Sequence, residues 1–311
     1  MSSQQSTKIK NVIIALTNRC NLQCKMCTIW KEQPKKDIDG FTLRKVFSSK
    51  LLDDDFSLTL TGGEPFLSLH FNAVIEEILA KKPKSLRTIS TNGVAKEKIL
   101  EFLRKYRQYF PNLSLSISFD GINKHDLQRG ESKNKIIETI EQIKKEFPDL
   151  LIKLKLTITP INYDDILPTY KYCKKLGVKF KIKISESADN YTNKIEPWQP
   201  IWSDNIKDSI KKDLELIWNE ISNTDEKSAD FIKRTIVSLK GKKHLKDCFT
   251  PYERIFIMPD CSVYSCIHLE KLGYLNEESL DGLFTSEIAK QNQLKAKNKM
   301  CKGCVSFHGS G

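Results

Sequence analysis

The chain has 311 residues, 39% of them hydrophobic, and a formal charge of +12. That length suits one large α/β domain with a small appendage. No run of about 18 apolar residues marks a membrane span, and the polar stretch 1–10 has no apolar core of a secretion signal, so the expected compartment is the cytoplasm.

From residue 12 to residue 184, short apolar runs alternate with helical periodicity. Strands are expected at 12–16, 57–61, 86–91, 113–119, 152–159 and 179–184, and helices near 43–52, 71–82, 96–110, 133–147 and 164–176. Alternation at this spacing predicts parallel βα units, and six of them predict a partial (β/α)6 barrel over 1–203. The chemistry of such a barrel lies at the C-terminal ends of its strands. A polar loop with Tyr191, Trp198 and Trp202 follows the sixth strand and is a candidate cover for the barrel mouth. Amphipathic helices at 206–221 and 230–239 form a linker over 204–246. Then come a hairpin at 254–258 and 262–266, turning at Pro259-Asp260-Cys261, and a helix at 280–289, within a C-terminal unit over 247–311. No internal repeat is visible.

Nine cysteines in a large chain without a secretion signal favour metal over a disulfide framework. Cys20, Cys24 and Cys27 form C-x3-C-x2-C directly after the first strand. Zinc usually takes four ligands from two separated pairs. Three cysteines in one loop suit a [4Fe–4S] cube whose fourth iron stays open. The next strand ends are also marked: Gly62-Gly63-Glu64-Pro65 after the second, Ser90-Thr91-Asn92-Gly93 at the third, and Ser118-Phe119-Asp120-Gly121 at the fourth, with His125, Asp126 and Arg129 beyond. Glycines permit close backbone approach, Glu64 can face a cation, and an Arg fork can face a carboxylate.

With these motifs in strand order, the chain resembles the radical S-adenosylmethionine (SAM) superfamily. In that family the open iron chelates the amino and carboxylate groups of SAM. One electron then cleaves the sulfonium to a 5′-deoxyadenosyl radical, which takes a hydrogen atom from substrate. The resemblance implies Cys20, Cys24 and Cys27 as cluster ligands. It implies SAM contacts at Met26, Gly62, Gly63, Glu64, Pro65, Ser90, Asn92, Ser118 and Arg129. Met26 stands where the family often has an aromatic residue, and a soft apolar side chain fits the same place. An electron donor such as flavodoxin or ferredoxin is implied as partner.

The C-terminal unit resembles the SPASM/twitch extension found after many such barrels. Cys248, Cys266, Cys301 and Cys304 match its four cysteine positions, and the resemblance implies a second [4Fe–4S] cluster there. With no cysteine beyond Cys304, one auxiliary cluster and hence a twitch is the expectation, and His308 is a further candidate ligand. Spacing alone also fits a zinc ribbon. Cys173 lies mid-helix and reads as a structural thiol. Cys261 replaces the usual turn glycine, and that makes it a candidate hydrogen-atom donor to a substrate radical. The substrate stays open between a ribosomal peptide, to be cross-linked, oxidised or epimerised, and a sugar or other small molecule. The basic charge suits an acidic or phosphorylated partner. Nucleic acid is not expected, since no RNA-binding module is visible.

Overall fold

The computed structural model describes residues 8–185, 202–239 and 248–298. Six parallel strands follow the expected order: β1 (Ile9–Ala15), β2 (Leu52–Thr61), β3 (Leu86–Thr91), β4 (Ser114–Ser118), β5 (Leu151–Ile158) and β6 (Lys179–Ile184). Helices α1 (Gly40–Phe47), α2 (Phe71–Lys81), α3 (Lys96–Tyr106), α4 (His125–Arg129), α5 (Lys133–Glu146) and α6 (Ile166–Leu176) fill the crossovers. The strands have two different faces. In β5, Ile152, Leu154, Leu156 and Ile158 are buried, whereas Lys153, Lys155 and Thr157 alternate with them and are only partly covered. A period of two places the apolar set under the helices and the polar set on the inner face.

The sheet does not close. Among the described residues it runs β6-β5-β4-β3-β2-β1-β7-β8-β9, with β7 (Arg254–Ile257), β8 (Ser262–Tyr264) and β9 (Lys271–Tyr274). β7 pairs in parallel with β1, and β8 and β9 follow antiparallel. The expected hairpin therefore extends the barrel sheet at its β1 edge, and it has a third strand that the sequence did not reveal. β9 is four residues long and contains Gly273 at φ +149°, where a Cβ would sit 2.5 Å from Leu283 Cδ2. A short strand interrupted by glycine reads as a turn.

Two further helices, α7 (Asp204–Ile221) and α8 (Glu226–Leu239), cover the far edge. Ile210, Leu214, Ile217, Ile232 and Ile236 pack there against Leu156, Ile158, Ile182 and Ile184. Trp202 packs at the margin of this second core. Tyr191 and Trp198 lie outside the described residues. The C-terminal unit adds α9 (Thr250–Glu253), α10 (Leu280–Thr285) and α11 (Glu287–Lys297). The single helix expected at 280–289 is thus two, broken where the Ser286 side chain accepts from Ala289 N and caps α11.

Candidate functional site

The three thiols sit on a loop that leaves β1 and is held by its own side chains. Asn18 donates to Pro34 O and accepts from Lys36 N, and the Arg19 guanidinium pairs with Asp37 at 3.0 Å. The turn after β2 lies against this loop. Gly63 N donates to Thr17 O and Glu64 N to Arg19 O, both at 2.7 Å. A Cβ on Gly63 would come within 2.1 Å of Arg19 O, and Gly62 adopts φ +131° with Thr17 O 2.5 Å from its notional Cβ. Both glycines are therefore demanded by backbone meeting backbone. Phe66 anchors the same turn in an aromatic group, 4.8 Å from Phe71 and 5.7 Å from Phe102 between ring centroids.

A cleft of about 180 Å³ opens at the C-terminal ends of the strands. Of the expected residues it brings together Cys20, Cys24, Cys27, Met26, Gly62, Gly63, Ser90, Asn92, Ser118 and Arg129. Asn92 ties two of the motifs, donating to Asn21 Oδ1 at 2.7 Å and lying 3.9 Å from Cys20 Sγ. Met26, Leu22, Ile29 and Trp30 give the cleft an apolar wall. Burial pushes the Cys20 thiol up to about 11 and also raises Cys24, against the lowering effect of Arg129. Such thiols ionise only when a cation takes the proton's place.

Two expected contacts fall elsewhere. Glu64 and Pro65 are fully or nearly buried and do not line the cleft. The Glu64 carboxylate accepts from Thr91 Oγ1 (2.8 Å), Asn92 N (2.7 Å) and Phe66 N (3.4 Å). It is spent on joining the turns after β2 and β3. Burial pushes its pKa up to about 7 against those three donors. Arg129 is shared: Nε donates to Asp120 at 2.5 Å and Nη1 lies 3.6 Å from Cys24 Sγ. Asp120 is fully buried and also accepts from Gln128 Nε2 and Thr157 N, each at 2.7 Å. The ion pair is thus built into the floor of the cleft, and only part of the Arg fork faces a ligand.

Lys155, Thr157, Lys183 and Ser185 also line the cleft and were missed from the sequence. The available signal was alternation, which puts 155 with 157, and 183 with 185, on the polar face of β5 and β6.

Cys173, Cys248, Cys261 and Cys266 do not line the cleft. Cys261 holds φ +67°, so its turn does need the left-handed conformation. Its sulfur lies 3.8 Å from Thr42 Oγ1 and does not line the cleft. Cys173 is buried, with its thiol pushed up to about 12 by that burial. Cys248 and Cys266 flank Arg254, whose Nε is buried and has no partner among the described residues. Cys301, Cys304 and His308 lie outside the described residues.

Two features of the cleft suit an iron–sulfur cube and SAM. The donors are three thiols from one loop, at one end of one cleft. A four-iron cube meets three cysteines at three separate irons, a donor set that one three-thiol loop supplies. The rest of the lining is an apolar wall, hydroxyls and an amide, and cations, which suits an amphiphilic nucleoside bearing a carboxylate. The residues fit.

Comparison with known proteins agrees. The family model of the radical SAM superfamily matches residues 14–173, and that of SPASM, an iron–sulfur cluster-binding domain, matches residues 248–305. The chain is 24% identical over 286 residues to GTP 3′,8-cyclase of Aquifex aeolicus, covering 86% of this chain and 84% of that protein. It is 27% identical over 167 residues to the sporulation killing factor maturation protein SkfB of Bacillus subtilis, covering 53% of this chain and 39% of that one. SuiB of Streptococcus suis, bound to S-adenosylmethionine, superposes with a TM-score of 0.67 at 14% identity, covering 92% of this chain and 68% of that chain. SuiB bound to its precursor peptide SuiA also superposes at 0.67, with 14% identity and coverage of 92% and 67%. At that identity the likeness is one of fold.

Proposed function

Given that this chain belongs to the radical SAM superfamily and carries a C-terminal SPASM domain, we propose that it modifies a ribosomally made peptide by removing a hydrogen atom from it. The observation that supports the reading is the single cleft that gathers three thiols, the glycine turn and the ends of β3 and β4. The cofactors are SAM and [4Fe–4S] clusters. In our reading Cys20, Cys24 and Cys27 hold the catalytic cluster. Cys248, Cys266, Cys301 and Cys304 hold an auxiliary one. Bound there, the catalytic cluster and SAM supply one-electron cleavage of the sulfonium and hydrogen-atom abstraction from substrate.

The chain's own residues do the positioning. The Gly63 and Glu64 backbone amides and Asn92 fix the thiol loop against the strand ends. Ser90, Ser118 and the free part of the Arg129 fork face the ligand side of the cleft. Met26, Ile29 and Trp30 form the apolar wall and exclude water from that side. Arg129 is charge-compensated by Asp120, so it holds its place without a ligand. A flavodoxin or ferredoxin would deliver the electron.

For the peptide, the support is the likeness to SuiB, which binds a precursor peptide, and to SkfB, a maturation protein. A second reading is a small-molecule substrate, favoured by the long alignment with GTP 3′,8-cyclase. The test is a panel on the anaerobically reconstituted, reduced protein: short peptides encoded beside the gene against sugars and nucleotides. Submicromolar peptide binding with a mass change on turnover is expected. Turnover of a small molecule with no peptide present would overturn the peptide reading, and absence of SAM cleavage under any condition would overturn the catalytic one.

A further inference from the structure

The inner face of β5 and β6 carries five lysines, and they are not equivalent. Lys153, Lys179 and Lys181 lie nearest the strand starts and are all engaged. Lys153 donates to Ser114 Oγ at 2.9 Å, Lys181 donates to Ser228 Oγ at 2.6 Å, and Lys179 pairs with Asp225 at 3.5 Å. Lys155 and Lys183 lie at the strand ends and line the cleft. Among the described residues neither has a hydroxyl or carboxylate partner. Thr157 pairs with Lys183 across the two strands, and Lys155 pairs with Lys181, so the ammonium groups of Lys155 and Lys183 belong to adjacent strands. Burial and the charges of Lys183 and Arg129 bring Lys155 down to about 8. Ser185 continues the same face one step on. It is 5% exposed, lines the cleft, and among the described residues its Oγ has no hydrogen-bond partner.

We propose that Lys155, Lys183 and Ser185 form a subsite for an oxyanion carried by the substrate, a carboxylate or phosphate next to the carbon that loses hydrogen. This rests on the reading of the cleft given under Proposed function and narrows the substrate to an anionic one. For a peptide, that means an acidic residue at or beside the modified position.

Two sources could supply an oxyanion here, the substrate and the methionyl carboxylate of SAM, and charge separates them. The Arg129 charge is met by Asp120. Lys155 and Lys183 are left as two positive charges. A cube with three thiolates brings a charge of about −1. SAM has one carboxylate against an ammonium and a sulfonium, so it adds positive charge on balance. With cluster and SAM in place the cleft is still cationic, and in a partly enclosed site a surplus charge draws a counterion. Ser185 has a hydroxyl to donate to the same group.

The experiment uses the holoenzyme, loaded anaerobically with clusters and saturated with SAM, and takes inorganic phosphate and acetate as probes. Calorimetry reads their affinity in the wild type and in Lys155→Met, Lys183→Met and Lys181→Met. SAM affinity is measured separately in each. One probe should bind the wild type, and Lys155→Met and Lys183→Met should each weaken it by about tenfold or more. Lys181→Met, which loses the same charge on the same face outside the cleft, should leave probe binding unchanged. SAM affinity should fall by less than probe affinity in both cleft variants. Equal or greater loss of SAM affinity would give the lysines to the methionyl carboxylate and overturn the proposal. Failure of both probes to bind the wild type, or equal binding by wild type and cleft variants, would overturn it too. Because the readout is binding, a failed subsite is distinct from a failed catalytic reading, which SAM cleavage by the wild type reports.

Discussion

Arg129 and Gly63 each answer to a constraint that the motif alone does not display. Arg129 is 9% exposed and faces a carboxylate with no exposure at all. Removing one partner of such a pair leaves a buried charge uncompensated. Arg129→Ala should therefore cost about 3 kcal/mol of folding stability, and about 1–3 kcal/mol of SAM affinity on top. Urea denaturation and SAM titration of the Ala and Lys variants check this. Unchanged stability would mean that Gln128 and Thr157 N satisfy Asp120 unaided. Gly63→Ala is sharper, because the obstacle at 2.1 Å is a backbone carbonyl that no rotamer can move. It should break the two hydrogen bonds that hold the thiol loop and remove the N-terminal iron. Gly40→Ala, whose Cβ meets nothing closer than 3.8 Å, is the control and should keep all its iron.

At the level of elements, α4 is the most informative. Its five residues bury His125, Gln128 and Arg129, all polar, so no apolar period announced it in the sequence. The longer elements had such a period and were legible: β3 and β6 fall where expected, and β5 keeps its alternation. The site followed the same division. The cysteine spacing, the glycine pair and the strand-end order could be read from the chain. The true duty of Glu64 could not, since it depends on which backbone groups the turn after β3 presents. Within α4, His125 Nδ1 accepts from Asp120 N at 3.1 Å, so Nε2 carries the hydrogen and meets Ser132 Oγ at 3.0 Å. Burial first, and then the Arg129 charge, bring His125 down from 6.5 to about 4. The unfolded chain takes up a proton that the folded one refuses. His125 therefore loses stability as pH falls from 6.5 to about 4, by about 3 kcal/mol. Glu64, raised from 4.5 to about 7, does the reverse and loses stability as pH rises through that window. The two nearly cancel in the wild type. Urea midpoints of wild type and His125→Gln at pH 7.5 and 4.5 separate them, and the stability gap should narrow by about 3 kcal/mol at the lower pH. A constant gap would refute the assignment.

Across the whole molecule, the barrel and the C-terminal hairpin are one sheet, since β7 adds to β1 directly behind the thiol loop. Ile255 and Ile257 of β7 share the core of β1, β2 and β3, so the hairpin is held by burial as well as by any metal. This has a consequence for the second cluster. In a small metal-nucleated domain, loss of the ligands unfolds the unit. Here the strands should keep their place when the auxiliary cysteines are removed. Arg254 opens β7 beside Cys248 and Cys266, half-buried and with its Nε unpaired among the described residues, as a cation facing an anionic cluster would be. Anaerobic reconstitution should accordingly yield about eight irons per chain, from two four-iron cubes. The double variant Cys248→Ala, Cys266→Ala should retain about four irons with native far-UV circular dichroism. The triple variant at Cys20, Cys24 and Cys27 should also retain about four, but should make no 5′-deoxyadenosine. Iron analysis paired with zinc analysis decides the matter: about four irons and one tightly bound zinc in the wild type would make the C-terminal unit a zinc ribbon. Persistent 5′-deoxyadenosine from the triple variant would remove the N-terminal thiols from catalysis.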